Sequence, residues 1–294
     1  MSQSREPGAV VITGASTGIG EACVCRLERM GYRVFAGVRK AADGLALQGK
    51  CSDRVQPIIL DVTDPDSIQR AREVVARAVG PEGLAGLVNN AGIAVACPLE
   101  YLPLDELRKQ LEINLVGQLA VTQAFLPLLR QAQGRIINMS SVSGLTALPM
   151  IGAYAASKFA LEGLSDALRL ELAPFKVRVS LIEPAAIATP IWDKAAGDWD
   201  VLAQRLPAEM NERYGVVGEI TRRTARQAGI HGLSAEMVAD VVARAMTCRW
   251  PRARYLVAKN ARLLKLFSLL PDRWRDTLVL GQLRLAGRKI SREK

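Results

Sequence analysis

Histidine is nearly absent from this chain: His231 is the only one in 294 residues. Zinc sites draw several His and Cys ligands at set spacings. The five cysteines, Cys23, Cys25, Cys51, Cys97 and Cys248, contain no CxxC pair, so no metal site is expected. Their odd number fits reduced thiols in a reducing compartment rather than a disulfide framework. The single His also weakens any Ser-His-Asp hydrolase reading. Long apolar runs are missing too. None reaches the roughly 18 residues that suggest a membrane span, and Met1 to Gly8 is short and polar, without the shape of a signal peptide. A soluble, cytoplasmic protein is the expectation. Acid is scarce in one place only. Residues 249–294 carry thirteen Lys and Arg against three acids, which is the whole of the net charge of +10. The rest of the chain is neutral overall, so its charge gives no sign of nucleic-acid binding.

What is present is a globular composition, 49% hydrophobic and 23% charged, at a length that can bury one large core. Short, continuously apolar runs recur at 9–13, 33–38, 55–60, 84–88, 135–139 and 177–182. Helical patterns fill the gaps, notably about 19–30, 104–130 and 153–172. Gly31 stands where a helix would end, and Asp64-Pro65 where one would begin. Strand alternating with helix implies βαβ units. Strands apolar throughout are those covered by helices on both faces. The expected fold is α/β: a Rossmann-type, doubly wound parallel sheet in a single domain over 1–248, with a C-terminal helical extension over 249–294. Residues 190–232 break the pattern just after the sixth strand. They would form a lid at the edge where such folds bind ligands.

Directly after the first strand comes Thr13-Gly14-Ala15-Ser16-Thr17-Gly18-Ile19-Gly20. Glycines let the backbone turn tightly and approach a pyrophosphate, and the following helix offers free N–H groups to it. A glycine-rich loop alone is a weak sign. Its position is joined by Asn89-Asn90-Ala91-Gly92 after the fourth strand and by Asp61-Val62 after the third. Together, over roughly residues 8–190, these motifs resemble the short-chain dehydrogenase/reductase family. The resemblance implies a nicotinamide cofactor held by Gly14, Ser16, Thr17, Gly18, Ile19, Gly20, Asp61, Val62, Asn89, Ala91 and Gly92. At the end of the second strand a carboxylate would bind the ribose 2′-hydroxyl and repel a 2′-phosphate. Here Val38 takes the acidic place, followed by Arg39 and Lys40. The two cations are either a solvated loop pair or a phosphate grip. With the acid missing, Arg39 favours NADP(H) over NAD(H).

Tyr154 and Lys158 are four apart, which puts them on one face of a helix. An ammonium beside a phenol favours the phenolate. Such a spacing is also common among surface pairs. Within the resemblance it is the catalytic Tyr and Lys, the lysine also reaching the nicotinamide ribose. Ser141 then holds the substrate oxygen, and Asn114 kinks its helix to anchor a water; Asn114 by itself would equally be an ordinary buried Asn. After the sixth strand, Pro184, Ile187 and Thr189 would meet the carboxamide. There the family has Pro-Gly and this chain has Ala185. The reaction implied is the interconversion of an alcohol and a ketone or aldehyde.

The stretches 34–39, 60–64 and 182–192 resemble the branch with retinol and 17β-hydroxysteroid dehydrogenases. That implies a bulky apolar, steroid-, retinoid- or lipid-like substrate. Ser141, Leu148, Tyr154 and Trp192 are the substrate candidates. Leu145, Met150, Ile191 and Trp199 are further apolar residues for the pocket or for the core. In the tail, Leu263, Leu264, Leu266, Phe267 and Leu270 can line one side of a helix flanked by Arg262 and Lys265. Such helices more often dock on the protein body; the alternative is an anionic membrane surface. Family members commonly pair through the helices corresponding to about 104–130 and 153–172, which implies a homo-oligomer. Two other functional classes stay open: a non-catalytic NADP(H) sensor, and a membrane-recruited interaction protein.

Overall fold

A computed structural model describes residues 7–293, with the side chains of 193–196, 198, 200 and 289–293 outside that description. The tail cations Lys289, Arg292 and Lys294 therefore lie beyond the described side chains. Seven strands form one sheet: β1 Ala9–Ile12, β2 Arg33–Val38, β3 Val55–Ile59, β4 Gly86–Asn89, β5 Arg135–Met139, β6 Arg178–Pro184 and β7 Arg254–Val257. Every pairing is parallel, in the order β3-β2-β1-β4-β5-β6-β7. The six strands expected from apolar runs are all present. The seventh falls beyond residue 248, inside the stretch set apart by its charge, and it is part of the sheet.

Eleven helices are described: α1 Gly18–Arg29, α2 Ala41–Gln48, α3 Pro65–Val79, α4 Leu104–Leu111, α5 Gly117–Ala132, α6 Gly152–Leu172, α7 Ile191–Ala203, α8 Ala208–His231, α9 Ala235–Thr247, α10 Ala261–Ser268 and α11 Asp272–Glu293. Local chemistry sets their ends. Gly31, at φ 89°, closes α1, its N–H donating to Glu28 O at 2.8 Å. The Asp64 side chain accepts from Asp66 N at 2.9 Å at the start of α3, with Pro65 at the first position.

Side chains alternate across each strand, and that alternation divides the core in two. Val10 and Ile12 pack with Cys23, Val24 and Leu27 of α1 and Val238 and Val242 of α9. Val11 turns the other way, toward Ile68 and Val75 of α3 and Val121, Phe125 and Leu129 of α5. Each such fully buried aliphatic contributes about 1.5–3 kcal/mol. One stretch, Leu104–Ala132, is long and apolar enough to cross a membrane by composition. Val121, Phe125 and Leu129 show it to be a core helix lying on the sheet.

β1 sits between β2 and β4, so the chain leaves β1 to one side and returns on the other. A crevice opens at that switch point, beyond the carboxyl ends of the strands. α7 and α8 occupy 190–232, the expected insertion. α8 is tied down where Arg213 and the Tyr214 hydroxyl both donate to Glu100, each at 2.7 Å. Arg205, just beyond α7, donates to Asp105 on α4 at 2.9 Å.

The tail differs from the docked helix expected. α11 lies along α8, with Gly287 against Val216. α10 has no buried residue. Leu264 and Phe267 are half-buried, while Leu263 (64%), Leu266 (61%) and Leu269 (72%) stay exposed. Apolar residues occupy both its sides, and the body covers only one.

Candidate active site

The loop after β1 is shaped by its glycines and by two side chains that the motif reading missed. Gly14 and Gly18 adopt φ of 62° and 61°, a region costly for residues with a Cβ. A Cβ on Gly20 would stand 2.2 Å from Gly14 O. The Thr13 hydroxyl accepts from Asn90 N at 2.9 Å and Ala91 N at 3.0 Å. Asn90 returns the contact, its amide donating to Thr13 O and Gly14 O, each at 3.0 Å. The turns after β1 and β4 thus form one body, and α1 begins at Gly18 within it. Ser16, Thr17, Ile19, Ala91 and Gly92 are on its surface or half-buried. Asn89 is different. Its side chain is fully buried and donates to Thr122 and Asn138, each at 2.9 Å. It faces α5 and β5 rather than the crevice, which leaves only its backbone for a ligand.

Along the sheet edge, Asp61 accepts from the Thr63 N–H and hydroxyl at 2.9 and 2.7 Å, an Asx turn that orients its carboxylate. Val62 is buried. Arg39 is exposed directly after β2, and no hydrogen bond or ion pair among the described residues engages it. On the far side, Thr189 meets the loop: a Cβ on Gly18 would lie 3.2 Å from the Thr189 Cβ. Residues 184–189 therefore arch from β6 back to the start of α1. Ile187 pairs with Leu233, and its carbonyl accepts from Trp192 Nε1 at 2.6 Å. Ala185 needs no glycine geometry, since its φ is not positive, and its N–H donates to Val257 O at 2.9 Å. This shape fits an extended dinucleotide: glycine turns and a helix N-terminus for pyrophosphate, an unpaired cation beside the ribose position, and an arch for the nicotinamide end.

The four residues expected to be catalytic come together beside the arch. Ser141 follows β5, 8% exposed, with its hydroxyl 3.4 Å from Pro184 O and accepting from Ser143 N at 3.1 Å. Its side chain also acts on the Tyr154 phenol, lowering its pKa. Lys158 is buried and donates to Met139 O at 2.7 Å, with its Nζ 5.7 Å from the Tyr154 ring centre. Asn114 lies in a π-helical turn, Glu112–Val116, between α4 and α5. This is the expected kink. Its side chain accepts from Ile93 N and donates to Ile93 O, both at 2.9 Å, and donates to Ser157 Oγ at 3.1 Å. Ser157 in turn donates to Tyr154 O at 2.7 Å. The mid-helix Asn is thus fully employed, joining the loop after β4 to α6. The wide turn is typical of functional positions in helices.

Electrostatics correct one expectation. Burial raises the Tyr154 pKa, opposed only by the Ser141 hydrogen bond. Lys158 is not among the groups that shift it; its ammonium donates to the Met139 carbonyl at 2.7 Å and lies 5.7 Å from the Tyr154 ring centre. Burial pushes Lys158 itself down to about 8, with the Glu162 charge acting to raise it.

The apolar candidates divide. Met150 is buried, Leu145 and Trp192 half-buried and Leu148 45% exposed. Trp199 packs with Val95, Cys97 and Leu202 in a separate small cluster under the lid. Among the described residues no three His, Cys, Asp or Glu side chains gather as metal ligands. The residues that sequence reading passed over, Thr13, Asn90, Ser157, Glu162 and Arg254, all act through partners distant in the chain. Only the second Asn of Asn89-Asn90 carried a signal that could have found one of them.

A parallel doubly wound sheet with this loop at its switch point defines a dinucleotide-binding α/β oxidoreductase fold. The chain belongs to the short-chain dehydrogenase family: the family model for short chain dehydrogenase matches residues 8–199. It is 38% identical to human retinol dehydrogenase 5 over 270 residues, covering 89% of this chain and 84% of that protein. It is 35% identical to an NADPH-dependent 3-dehydrocapnine reductase from Ornithobacterium rhinotracheale over 280 residues, covering 93% and 96%. A short-chain dehydrogenase structure from Streptomyces avermitilis superposes with a TM-score of 0.75 at 27% identity, over 99% of each chain. The chain is therefore an oxidoreductase acting on CH–OH groups with a nicotinamide cofactor.

Proposed function

We propose that this protein is an NADP(H)-dependent oxidoreductase that interconverts a bulky apolar alcohol with its ketone or aldehyde. The observation that carries this reading is the meeting of Tyr154, Ser141 and Lys158 beside the arch, with the Lys158 Nζ 5.7 Å from the Tyr154 ring centre and burial keeping the phenol protonated. A protonated phenol is a general acid. Ser141 and Tyr154 together grip the substrate oxygen, and Tyr154 delivers its proton as the oxygen becomes anionic. The bound nicotinamide supplies or accepts the hydride. Lys158, as an ammonium, holds the ribose. Asn114 fixes the helix turn behind them. Arg39 grips the 2′-phosphate, for which its unpaired position and the neutral Val38 are the support. The similarity to retinol dehydrogenase 5 and the apolar side chains of Leu145, Leu148, Met150 and Trp192 support a lipid-like substrate. Exposed Val116, in the π-helical turn before α5, and Phe159 and Leu170 on α6 offer a face for pairing of two copies.

The test is NADPH oxidation against apolar ketones and aldehydes, with Tyr154→Phe alongside. Turnover should fall by about 10²–10⁴-fold with NADPH binding kept. Undiminished turnover in the variant would exclude Tyr154 as the acid. Arg39→Ala should cut the preference for NADPH over NADH by about tenfold or more. An unchanged preference would remove the basis for NADP(H).

A second reading concerns where the enzyme works. Leu263, Leu266, Leu269 and Trp274 are all more than 60% exposed, among Arg262, Lys265 and Arg273. This apolar and cationic face suits an anionic bilayer surface. Co-sedimentation with anionic vesicles should fall in Leu263→Asp/Leu266→Asp. Equal partitioning of the two proteins would mean a cytoplasmic enzyme without membrane contact.

A further inference from the structure

One helical turn beyond Lys158 on α6, Glu162 is 7% exposed and facing β7. There Arg254 gathers three carboxylates. Its Nε is 2.9 Å from Glu162 Oε2 and 3.5 Å from Glu183 Oε1, and its NH2 is 2.7 Å from Asp166 Oδ2. Asp166 is partly exposed and shared with Arg169 at 2.7 Å. Glu162 and Glu183 are both buried, and one guanidinium serves them both. The contact to Glu183 is an ion pair without hydrogen-bond geometry.

Three buried oxygens in this corner lack a hydrogen-bond partner: Ser140 Oγ, Glu162 Oε1 and Glu183 Oε1. Ser140 and Glu162 border the same spot, since a Cβ on Gly144 would meet Ser140 Oγ at 2.9 Å and Glu162 Cγ at 3.1 Å. Unpartnered buried acceptors are costly and call for a proton or a water. Of the two buried carboxyls that share Arg254, Glu183 is the more distant, at 3.5 Å against 2.9 Å for Glu162, and it is the one whose pKa rises. Burial first, and the Glu162 charge second, push it up to about 7, against Arg254 and Lys265 of α10. Glu162 has the shorter contact to Arg254 and lies one helical turn from the buried Lys158, on which its charge acts.

We propose that Glu162, buried one helical turn from Lys158 and fixed by Arg254, is a positioning residue that keeps Lys158 charged inside the site. This rests on Lys158 acting as proposed above. The groups that face Lys158 are the Tyr154 ring and Glu162 from its own helix and the Met139 carbonyl from β5. Glu162 is its one anionic neighbour among them. The sign follows directly: an anion favours the ammonium, so removing it lets Lys158 lose its proton at lower pH.

The experiment reads Lys158 in two independent ways. The first is the alkaline limb of the kcat/KM–pH profile. The second is the pH dependence of the Lys158 Cε signal in protein carrying 13C-lysine, assigned with Lys158→Arg. In Glu162→Gln both midpoints should move acidward by about one pH unit. Glu162→Asp, which keeps the charge, should move them less, and Glu162→Ala serves if the Gln variant folds poorly. Unchanged midpoints in a folded Glu162→Gln or Glu162→Ala protein would overturn the proposal. If the Cε midpoint moves and the activity limb does not, Glu162 does set the Lys158 charge, and what fails is the role given to Lys158 in the reaction.

Discussion

Two corners of the sheet edge hold the site, and they are built from opposite materials. Where β1 and β4 end, the Thr13 hydroxyl and Asn90 amide knit two turns with neutral bonds of 2.9–3.0 Å. Where α6, β6 and β7 meet, Arg254, Glu162 and Glu183 do the holding with buried charge. The neutral corner has no group that titrates near neutrality, so its shape is constant for a dinucleotide at any working pH. The charged corner carries Glu183 near 7 and Lys158 near 8. Its proton count changes near neutrality. Under the proposed function, binding falls to a fixed frame and proton handling to an adjustable one.

The largest effect should come from forcing the neutral frame apart. Gly20→Ala places a Cβ where Gly14 O and the Asn90 amide lie at 2.2 and 2.6 Å. Neither is the tip of a flexible side chain free to swing away, so α1 must move from the loop. Overpacking of this kind costs about 1–3 kcal/mol or more. NADPH affinity should drop by about tenfold at least, as measured by quenching of protein fluorescence. Normal affinity would mean that the loop is adaptable rather than fixed.

A middle-sized effect separates scaffold from contact within the same frame. Asn89→Ala deprives Thr122 and Asn138 of their donor. Leaving a buried acceptor unpaired costs about 1–3 kcal/mol, to be read from urea unfolding. The KM for NADPH should stay within about twofold, because the Asn89 side chain points away from the crevice. A raised KM at unchanged stability would show that it reaches the cofactor after all.

The two corners were not equally legible in the sequence. The glycine loop, Asn89-Asn90, Ser141 and the Tyr154–Lys158 pair are motifs whose members are neighbours along the chain, and six strands announced themselves as apolar runs. The links that make them a site join distant residues. Thr13 bonds Asn90 across 77 positions, and Arg254 bonds Glu162 across 92. Arg254 looked like one more cation in a basic tail because β7 is four residues long, with only Tyr255 and Val257 buried. Hydrophobic pattern finds a strand by length. This strand is held instead by its partner β6 and by one guanidinium. The outward leucines of α10 misled in the other direction: the helix was legible, and which of its sides met the body was not.

The smallest effect belongs to the arch between the corners, where this chain departs from its family. Ala185 replaces the family's glycine, and the departure is harmless if the backbone there never needs left-handed angles. Its φ is not positive, and its N–H is engaged by Val257 O at 2.9 Å. Restoring the glycine therefore frees no strained conformation and only adds flexibility to the unfolded chain, at a cost of about 0.4–1 kcal/mol. Ala185→Gly should lower Tm slightly and leave kcat/KM within about twofold. The test reaches beyond one position, because β7 supplies the carbonyl that holds Ala185. A gain of tenfold or more in kcat/KM would mean that the arch shifts into a glycine-dependent shape during the reaction. The fixed frame would then extend no further than the loops after β1 and β4.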